Sequence, residues 1–398
     1  MCKNPRSVLK KDKLSIYSAT FIKNNIKDNA NVDFLPYLKD KPKLGDKIYH
    51  PDFNLKLKPK CHPMHEITEK QVTISDWNYM LAHYGSVKAV ENYVLMSMPL
   101  FGGYCYPNAY NDRIYHLERM MSITTLIDDS TTHPDIIGDK NKQYMLRNNY
   151  IAAINGILPS DNYPIAKLLY EGLIPIKKQL SSKPRVWKRL KESLYKVIYR
   201  QTNSIAFQMN ELTFVQYLEL RRIDNYGDWA AMMTEYAIDV DMTDILKEDK
   251  SLNVVRIAAI DSITLVNDPY SFRKEMHISD PVNSVWLLMR LNKITTQQAF
   301  NKLASFVRDN ERKLINASQR VREGKFSGRD DVQRYVTELE HLASGNAEFH
   351  AISTRYFGQK FKGKRFISGE ITIEPIPSTD EIAMLYPDKN ELSPIKKY

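Results

Sequence analysis

Apolar residues recur at helical spacing along most of the chain. From about residue 75 to residue 357 they follow a period of three to four residues, which predicts a succession of α-helices. We predict a helix from "ISDWNYMLAHYGSV" onward, a long helix over 112–132, and helices over about 145–155, 163–177 and 186–222. The stretch "NYGDW" breaks the pattern, and helices resume in "AAMMTEYAIDVDM", "VVRIAAIDSITLVNDPYSFRKE", "TTQQAFNKLASFVRDNERKLINASQRV" and "DDVQRYVTELEHLASGNAEFHAISTRYF". The pattern therefore predicts an all-α protein.

The two ends of the chain lack this period. Residues 1–45 mix basic, polar and Pro-containing segments, and we interpret them as an N-terminal extension. Residues 46–368 form the predicted helical domain. Residues 369–398 are rich in proline, and we predict a loose C-terminal tail there.

Composition narrows the class of protein. The 57 Lys and Arg outnumber the 47 Asp and Glu and give a net charge of +10, which suits nucleic acid, acidic membranes or small phosphorylated substrates. Three cysteines are too few for a disulfide framework and favour a reducing compartment. Because no apolar run is long enough to span a bilayer, we predict a cytoplasmic protein without stable membrane insertion.

A polar stripe marks the helix that contains "VNDPYSFRKE". Asn267, Ser271 and Glu275 are four residues apart, so their side chains share one helix face, whereas Asp268 points elsewhere. Amide, hydroxyl and carboxylate oxygens all suit Mg²⁺. A stripe of this kind is by itself more often a solvated helix face. Pro269 removes one backbone donor and is expected to kink the helix, unless the helix restarts there.

Further charged residues cluster at three places. Asp128 and Asp129 end an apolar helical run, where a buried carboxylate needs a cation. Arg221 and Arg222 precede the break at "NYGDW", and Arg355 and Tyr356 close the last helix; Arg forks and Tyr hydroxyls suit a diphosphate.

These motifs, in this order, resemble those of the class I terpene synthases of the microbial type over about residues 55–360. Asp128 and Asp129 occupy the place of the family's aspartate-rich motif. Asn267, Ser271 and Glu275 match its NDxx(S/T)xxxE metal-binding triad. The resemblance implies an α-helical bundle around a central active-site cavity.

The other residues that the resemblance singles out bind diphosphate or act on the cation. Arg221 stands where the family keeps its diphosphate sensor, with Asp224 and Asn225 at the linker and effector positions. The remaining diphosphate ligands that the resemblance implies are Lys274, Arg355 and Tyr356. Phe349, in "GNAEF", is our candidate for cation–π contact with the carbocation.

The chain departs from the family pattern at several positions. Thr132 and His133 stand where a third acid is expected, and Asp135 follows a proline. Pro269 replaces an aliphatic residue. Met121 and Thr125 occupy positions where aromatic residues are frequent.

The resemblance implies a Mg²⁺-dependent reaction on a linear isoprenyl diphosphate. Three Mg²⁺ ions, for which Mn²⁺ is able to substitute, would neutralise the leaving group of farnesyl or geranylgeranyl diphosphate. The carbocation would then cyclise to a hydrocarbon or alcohol. The departing diphosphate would accept the final proton, so no histidine base is required. The length of the chain and its N-terminal arm resemble the coral and amoebal branches, which favours a C20 substrate.

Several alternatives remain at this stage. A chain-elongating isoprenyl diphosphate synthase would carry a second aspartate-rich motif in place of the triad. A basic helical nucleic-acid binder would cluster its Lys and Arg, which here are dispersed, so we expect no nucleic-acid partner. A non-catalytic relative, and a monomer or a homodimer, are also compatible with the sequence. Cys61, His62 and His65 lack a second cluster to complete a zinc site.

Overall fold

The computed structural model describes residues 42–43, 45–132, 136, 139–203, 209–277, 282–358 and 361–373. All of these residues belong to one compact unit that covers residues 34–398. Most of the N-terminal extension predicted over 1–45, and most of the tail predicted over 369–398, therefore lie outside the described residues.

Helices account for most of the described chain, which confirms the predicted all-α class. The helices are α1 (His65–Tyr84), α2 (Val87–Leu95), α3 (Met98–Cys105), α4 (Ile114–Thr131), α5 (Lys140–Ile154), α6 (Pro164–Gln179), α7 (Pro184–Gln201), α8 (Phe214–Asp224), α9 (Gly227–Ala237), α10 (Thr243–Glu248), α11 (Lys250–His277), α12 (Ser284–Asn292), α13 (Thr296–Glu323), α14 (Asp330–Ile352) and α15 (Thr354–Phe357). Two short strands are β1 (Lys47–His50) and β2 (Gly369–Thr372). Among the helices described, none combines the length and apolar character needed to cross a bilayer.

Helix α11 lies between two apolar cores. It packs against α9, α13 and α14. Its first half, with Leu252 and Val255, joins the larger core. Its second half, with Leu265 and Phe272, joins a second core formed with β1, α12 and the start of α13. Burial on both halves fixes the rotation of α11 and hence the direction of its polar stripe.

The single helix predicted over about 186–222 is wrong, because the structure has two helices there. Helix α7 ends at Gln201, and α8 begins after Thr213. The Gln216 N–H donates to Thr213 Oγ1 at 3.3 Å, and the Thr213 N–H donates to Gln216 Oε1 at 3.0 Å. This reciprocal capping box is a helix start that the sequence "TFVQ" already contains.

The two strands pair in an antiparallel ribbon that joins the two ends of the described chain. Lys47 is opposite Thr372, and His50 is opposite Gly369. Ile48 and Ile371 are both buried in the second core. The predicted tail boundary at 368 therefore needs correction, because the next residues form a strand whose apolar side chain packs against the domain.

A buried ionic cluster links helix α1 with helix α4. His65 Nδ1 lies 2.9 Å from Glu118 Oε1, and its Nε2 lies 3.5 Å from Glu69 Oε2. Thr68 Oγ1 donates to the other Glu118 oxygen at 2.7 Å. Burial alone would lower the pKa of His65, but the two carboxylates raise it to about 9. The imidazolium therefore acts as a structural cation.

The neighbouring His62 is also fully hydrogen-bonded. Its Nδ1 accepts from the Met64 N–H at 3.1 Å, and its Nε2 donates to the Ala109 carbonyl at 3.0 Å. Burial raises the pKa of the Cys61 thiol to about 11, which disfavours the thiolate that zinc requires.

The raised pKa of His65 predicts a loss of stability at alkaline pH. Because the folded pKa is about 9 and the unfolded value is near 6.5, the contribution is complete below about pH 6.5 and disappears as pH rises through about 9. We expect the melting temperature of the wild type to exceed that of His65→Gln at pH 6 and the difference to shrink towards pH 10. His341→Gln is the control, since burial lowers the pKa of that histidine. A difference for His65→Gln that stays constant with pH would contradict the assignment.

Candidate active site

The paired acids at the end of α4 have different surroundings. Asp129 is buried, and both of its oxygens accept hydrogen bonds from Arg355, at 2.6 and 2.9 Å. Lys274 Nζ lies 3.8 Å from the same carboxylate. The side chain of Asp128 is 38% exposed, and its Oδ2 lies 3.7 Å from Arg355 Nη2. Asp129 is thus fixed between cations, and Asp128 is the more accessible acid.

These surroundings separate the pKa values of the two acids. Partial loss of water raises the pKa of Asp128, although Lys274 opposes the rise. Burial would also raise the pKa of Asp129, but Arg355 and Lys274 hold it below its usual value. The Asp129 carboxyl therefore loses its proton at a lower pH than the Asp128 carboxyl does.

Two residues of the polar stripe of α11, Asn267 and Ser271, approach each other on the helix. Asn267 Oδ1 and Ser271 Oγ lie 3.5 Å apart. One turn further on, Glu275 is buried and its Oε2 accepts a hydrogen bond of 2.7 Å from Asn283 Nδ2. Helix α11 runs without interruption through Pro269, so the motif does not start a new helix.

Asp268 points away from the stripe into the protein and is fully buried. Its Oδ2 accepts hydrogen bonds from the Tyr217 hydroxyl at 2.7 Å and from the Ser284 N–H at 2.9 Å. Its Oδ1 lies 3.3 Å from Arg221 Nη2. This carboxylate joins α8, α11 and α12 and orients Arg221.

Arg221 lies at the end of α8, beside the predicted break. Its Nη1 donates to Asp224 Oδ2 at 2.7 Å, and its Nη2 reaches Asn267 Oδ1 at 3.5 Å. Arg222 points elsewhere and forms two hydrogen bonds with Asp261, at 2.6 and 3.0 Å. The two adjacent arginines therefore have separate partners.

The helix break between α8 and α9 is confirmed and is sharply defined. Asn225 caps α8, and Tyr226 has the left-handed backbone conformation with φ of 56°. A Cβ on Gly227 would lie 2.5 Å from Ile260 Cγ2, so only glycine permits α9 to approach α11 this closely. The backbone at Asn225 is therefore confined between the end of α8 and the close contact of Gly227 with α11.

Tyr356 and His350 lie on the triad side of the C-terminal helices. Their rings stack with centroids 4.9 Å apart. Asn267 Nδ2 donates to His350 Nε2 at 3.0 Å and lies 3.4 Å from the Tyr356 hydroxyl, while His350 Nδ1 donates to the Asn346 carbonyl at 2.7 Å. Burial lowers the pKa of His350 to about 4, so this histidine is neutral and both nitrogens are occupied.

Phe349 faces α3. Its ring stacks on Phe101 with centroids 4.6 Å apart, and it lines a cavity of about 400 Å³ with Met96 and the segment around Lys362. One face of the Phe349 ring is therefore covered by protein.

Known proteins resemble this chain in sequence. The family model described as "Terpene synthase family 2, C-terminal metal binding" matches residues 119–313, which include both metal motifs and Arg221. Microbial Terpene synthase-like protein 13 of Selaginella moellendorffii is 20% identical over 309 residues, 75% of this chain and 86% of that protein. The (+)-aristolochene synthase TS1 of Penicillium expansum is 24% identical over 314 residues, 75% of this chain and 89% of that protein.

The chain belongs to the microbial class I terpene synthases.

Solved structures show the same fold. Aristolochene synthase from Penicillium roqueforti aligns with this terpene synthase at a TM-score of 0.62 and 19% identity, over 75% of this chain and 98% of that one. Germacradien-4-ol synthase from Streptomyces citricolor aligns at 0.65 and 15% identity, again over 75% and 98%.

The side chains of this terpene synthase fit the metal that its family binds. Octahedral Mg²⁺ places neighbouring ligand oxygens roughly 3 Å apart, and Asn267 Oδ1 and Ser271 Oγ approach that separation in the protein alone. Within the described part of the chain, no three His, Cys, Asp or Glu side chains form a metal cluster. That observation is compatible with the triad, because Glu275 is its only member of those four types.

Sequence reasoning missed four residues that shape the site: Gln201, Asp268, Asn283 and His350. Each acts through a partner on another helix or loop, which a helical period does not mark. The four-residue spacing that identifies the stripe does not include Asp268, which directly follows Asn267. Asp135 and His133, the candidates for a third acid position, lie outside the described residues, and Thr132 Oγ1 donates to the Asp128 carbonyl at 2.8 Å.

We expect Asp268→Asn to destabilise the protein while Ser271→Ala affects metal dependence. Three donors converge on the Asp268 carboxylate, and an amide would place a fourth donor among them, at a cost of about 2–4 kcal/mol. Asp268→Asn should therefore lower the melting temperature and leave the Mg²⁺ concentration for half-maximal turnover closer to wild type than Ser271→Ala does. If Asp268→Asn instead gives the larger shift in Mg²⁺ dependence, Asp268 binds the metal.

Proposed function

We propose that this synthase ionises a linear isoprenyl diphosphate of 15 or 20 carbons, cyclises the carbocation and releases diphosphate. The proposal rests on one observation: cationic side chains link the acidic pair on α4 with the helix that contains the polar stripe. Lys274, from the stripe helix α11, and Arg355 both contact Asp129 at the end of α4. The two motifs therefore face one anion-binding region.

We assign the metal ligands to Asp128 and to the triad of Asn267, Ser271 and Glu275, with Asp129 as the anion that holds the neighbouring cations. In this proposal three Mg²⁺ ions would neutralise the charge that develops on the leaving diphosphate. Mn²⁺ would be able to replace Mg²⁺. The partly exposed side chain of Asp128 and the 3.5 Å approach of Asn267 to Ser271 support this assignment.

Four residues are proposed to bind the diphosphate: Arg221, Lys274, Arg355 and Tyr356. In the protein alone the three cations are paired with Asp224, Asp268 or Asp129. Two buried donors of the site, Arg221 Nε and Asn225 Nδ2, have no hydrogen-bond partner among the described residues. Unsatisfied buried donors are costly, and an anionic ligand would satisfy donors of this kind.

We assign stabilisation of the carbocation to the Asn225 carbonyl and to Phe349. Asn225 caps α8, where unpaired carbonyl groups carry partial negative charge. Phe349, which is buried and stacks on Phe101, is assigned to cation–π contact with the carbocation, worth about 0.5–2 kcal/mol. His350 is unsuited to act as the final base because both nitrogens are engaged, so the departing diphosphate accepts the proton.

The remaining assignments concern the cellular compartment, the oligomeric state and the domain boundaries of the enzyme. Cys61 and Cys105 are free thiols, which supports a reducing compartment, and we propose the cytoplasm. We propose a monomer or homodimer whose ligand is the isoprenyl diphosphate and not nucleic acid. Residues 46–368 form the synthase domain in this proposal, extended by β2.

Incubation of the purified protein with C10, C15, C20 and C25 isoprenyl diphosphates tests the activity. We expect release of inorganic diphosphate and cyclic products by mass spectrometry from the C15 or C20 substrate, only with Mg²⁺ or Mn²⁺ present. Glu275→Gln should raise the Mg²⁺ requirement, and Glu348→Gln, which removes a carboxylate paired with Arg365 at the surface, should not. Turnover that persists in excess EDTA would disprove the proposal, and longer prenyl diphosphates as products would indicate chain elongation.

The adjacent arginines provide a matched pair for the diphosphate assignment. Both Arg221→Lys and Arg222→Lys retain a positive charge but lose the guanidinium fork. We expect Arg221→Lys to lower diphosphate release at least tenfold, because its fork contacts the leaving group. Arg222→Lys should change turnover by less than threefold and mainly lower the melting temperature, because it weakens the bond to Asp261. Equal losses of turnover in the two variants would refute the specific role of Arg221.

A further inference from the structure

Gln201, the last residue of α7, occupies the space between the first metal motif and the helix break. It is 8% exposed. Its Nε2 donates to Asp128 Oδ1 at 2.8 Å and to the Asp224 carbonyl at 3.2 Å. Its Oε1 accepts from the Tyr226 hydroxyl at 3.0 Å and from Thr131 Oγ1 at 3.4 Å. A single amide thus contacts α4, the last residue of α8 and the residue that precedes α9.

The orientation of this amide is determined by its partners. Both Nε2 hydrogens face acceptors, and Oε1 faces two hydroxyl donors. A rotation of the amide by 180° would place its oxygen against the Asp128 carboxylate and the Asp224 carbonyl, both of which only accept hydrogen bonds. The network therefore allows one arrangement.

Two of these bonds lie on either side of Asn225. The Asp224 carbonyl precedes Asn225, and the Tyr226 side chain follows it. Tyr226 is in the left-handed backbone conformation, with φ of 56°. A residue whose two neighbours are both held has little freedom to rotate its own carbonyl, so Gln201 constrains the group that is proposed to face the carbocation.

We propose that Gln201 is a positioning residue that couples the Asp128 carboxylate to the orientation of the Asn225 carbonyl. The inference rests on the proposed function. Its amide orients Asp128 for metal binding, as outer hydrogen bonds do for metal ligands in general. A movement of the Asp128 carboxylate on metal binding passes through the same amide to both neighbours of Asn225. Binding of a metal ion by Asp128 would then also set the orientation of the Asn225 carbonyl.

Three variants separate this coupling from a purely structural role. Gln201→Met keeps the length of the side chain and removes all four hydrogen bonds. Tyr226→Phe removes only the bond on the Asn225 side. Gln179→Met is the matched control, because Gln179 accepts a hydrogen bond from Tyr236 on the same helix α9 but contacts neither motif.

The measurements are calorimetric Mg²⁺ binding in the presence of inorganic diphosphate and the ratio of cyclic to uncyclised products. We expect Gln201→Met to weaken Mg²⁺ binding roughly tenfold and to increase the share of uncyclised products. Tyr226→Phe should change the product ratio with Mg²⁺ affinity within twofold of wild type, and Gln179→Met should change neither.

The coupling is refuted if Gln201→Met weakens Mg²⁺ binding without changing the product ratio, or if it lowers only the melting temperature. Because the calorimetric arm uses inorganic diphosphate and no turnover, it reports on Gln201 even if the protein accepts none of the prenyl substrates. Failure of the proposed function and failure of this inference therefore give different results.

Discussion

The two hydrogen bonds between Asp129 and Arg355 are the interaction on which the site depends. A buried carboxylate costs several kcal/mol unless a cation compensates it, and Asp129 has a guanidinium fork at 2.6 and 2.9 Å with Lys274 nearby. These contacts draw together the end of α4, helix α11 and the segment after α14. The cations assigned to the substrate are thus the counterions of the metal motif while no substrate is bound, so the positive charge is positioned by the fold itself.

Two adjacent residues of helix α11 have different roles: one is buried in the protein and the other belongs to the polar stripe. Asn267 belongs to the polar stripe. Asp268 lies about 100° further round the helix and is buried, where its carboxylate accepts hydrogen bonds from Tyr217 and Ser284 and pairs with Arg221. The buried Asp268 therefore fixes the rotation of Asn267, the neighbouring residue that we assign to metal binding. The same carboxylate also orients the arginine assigned to diphosphate, so a rotation of α11 would disturb both groups together.

Features that depend on local spacing could be predicted from the sequence. The helices, the break at Asn225 and the shared face of the triad follow from periodicity and turn chemistry. The end of α7 at Gln201 was missed because apolar periodicity continues through it, and only the Thr213–Gln216 capping signature marked the new start. The roles of Gln201 and Asp268 depend on partners that the fold brings together. The stacking of Phe349 on Phe101 depends in the same way on how α3 lies against α14.

The pairing of β1 with β2 has a consequence for how the chain reaches its native state. The two strands are separated by almost the whole of the described sequence, and their pairing buries Ile48 and Ile371 in the core that surrounds the second half of α11. Contacts between such distant segments carry a large loop-closure entropy and form after local helices do. During synthesis the first strand emerges long before its partner exists. The helices are therefore able to form before the ribbon does, and the core around the second half of α11 closes only after β2 has been synthesised.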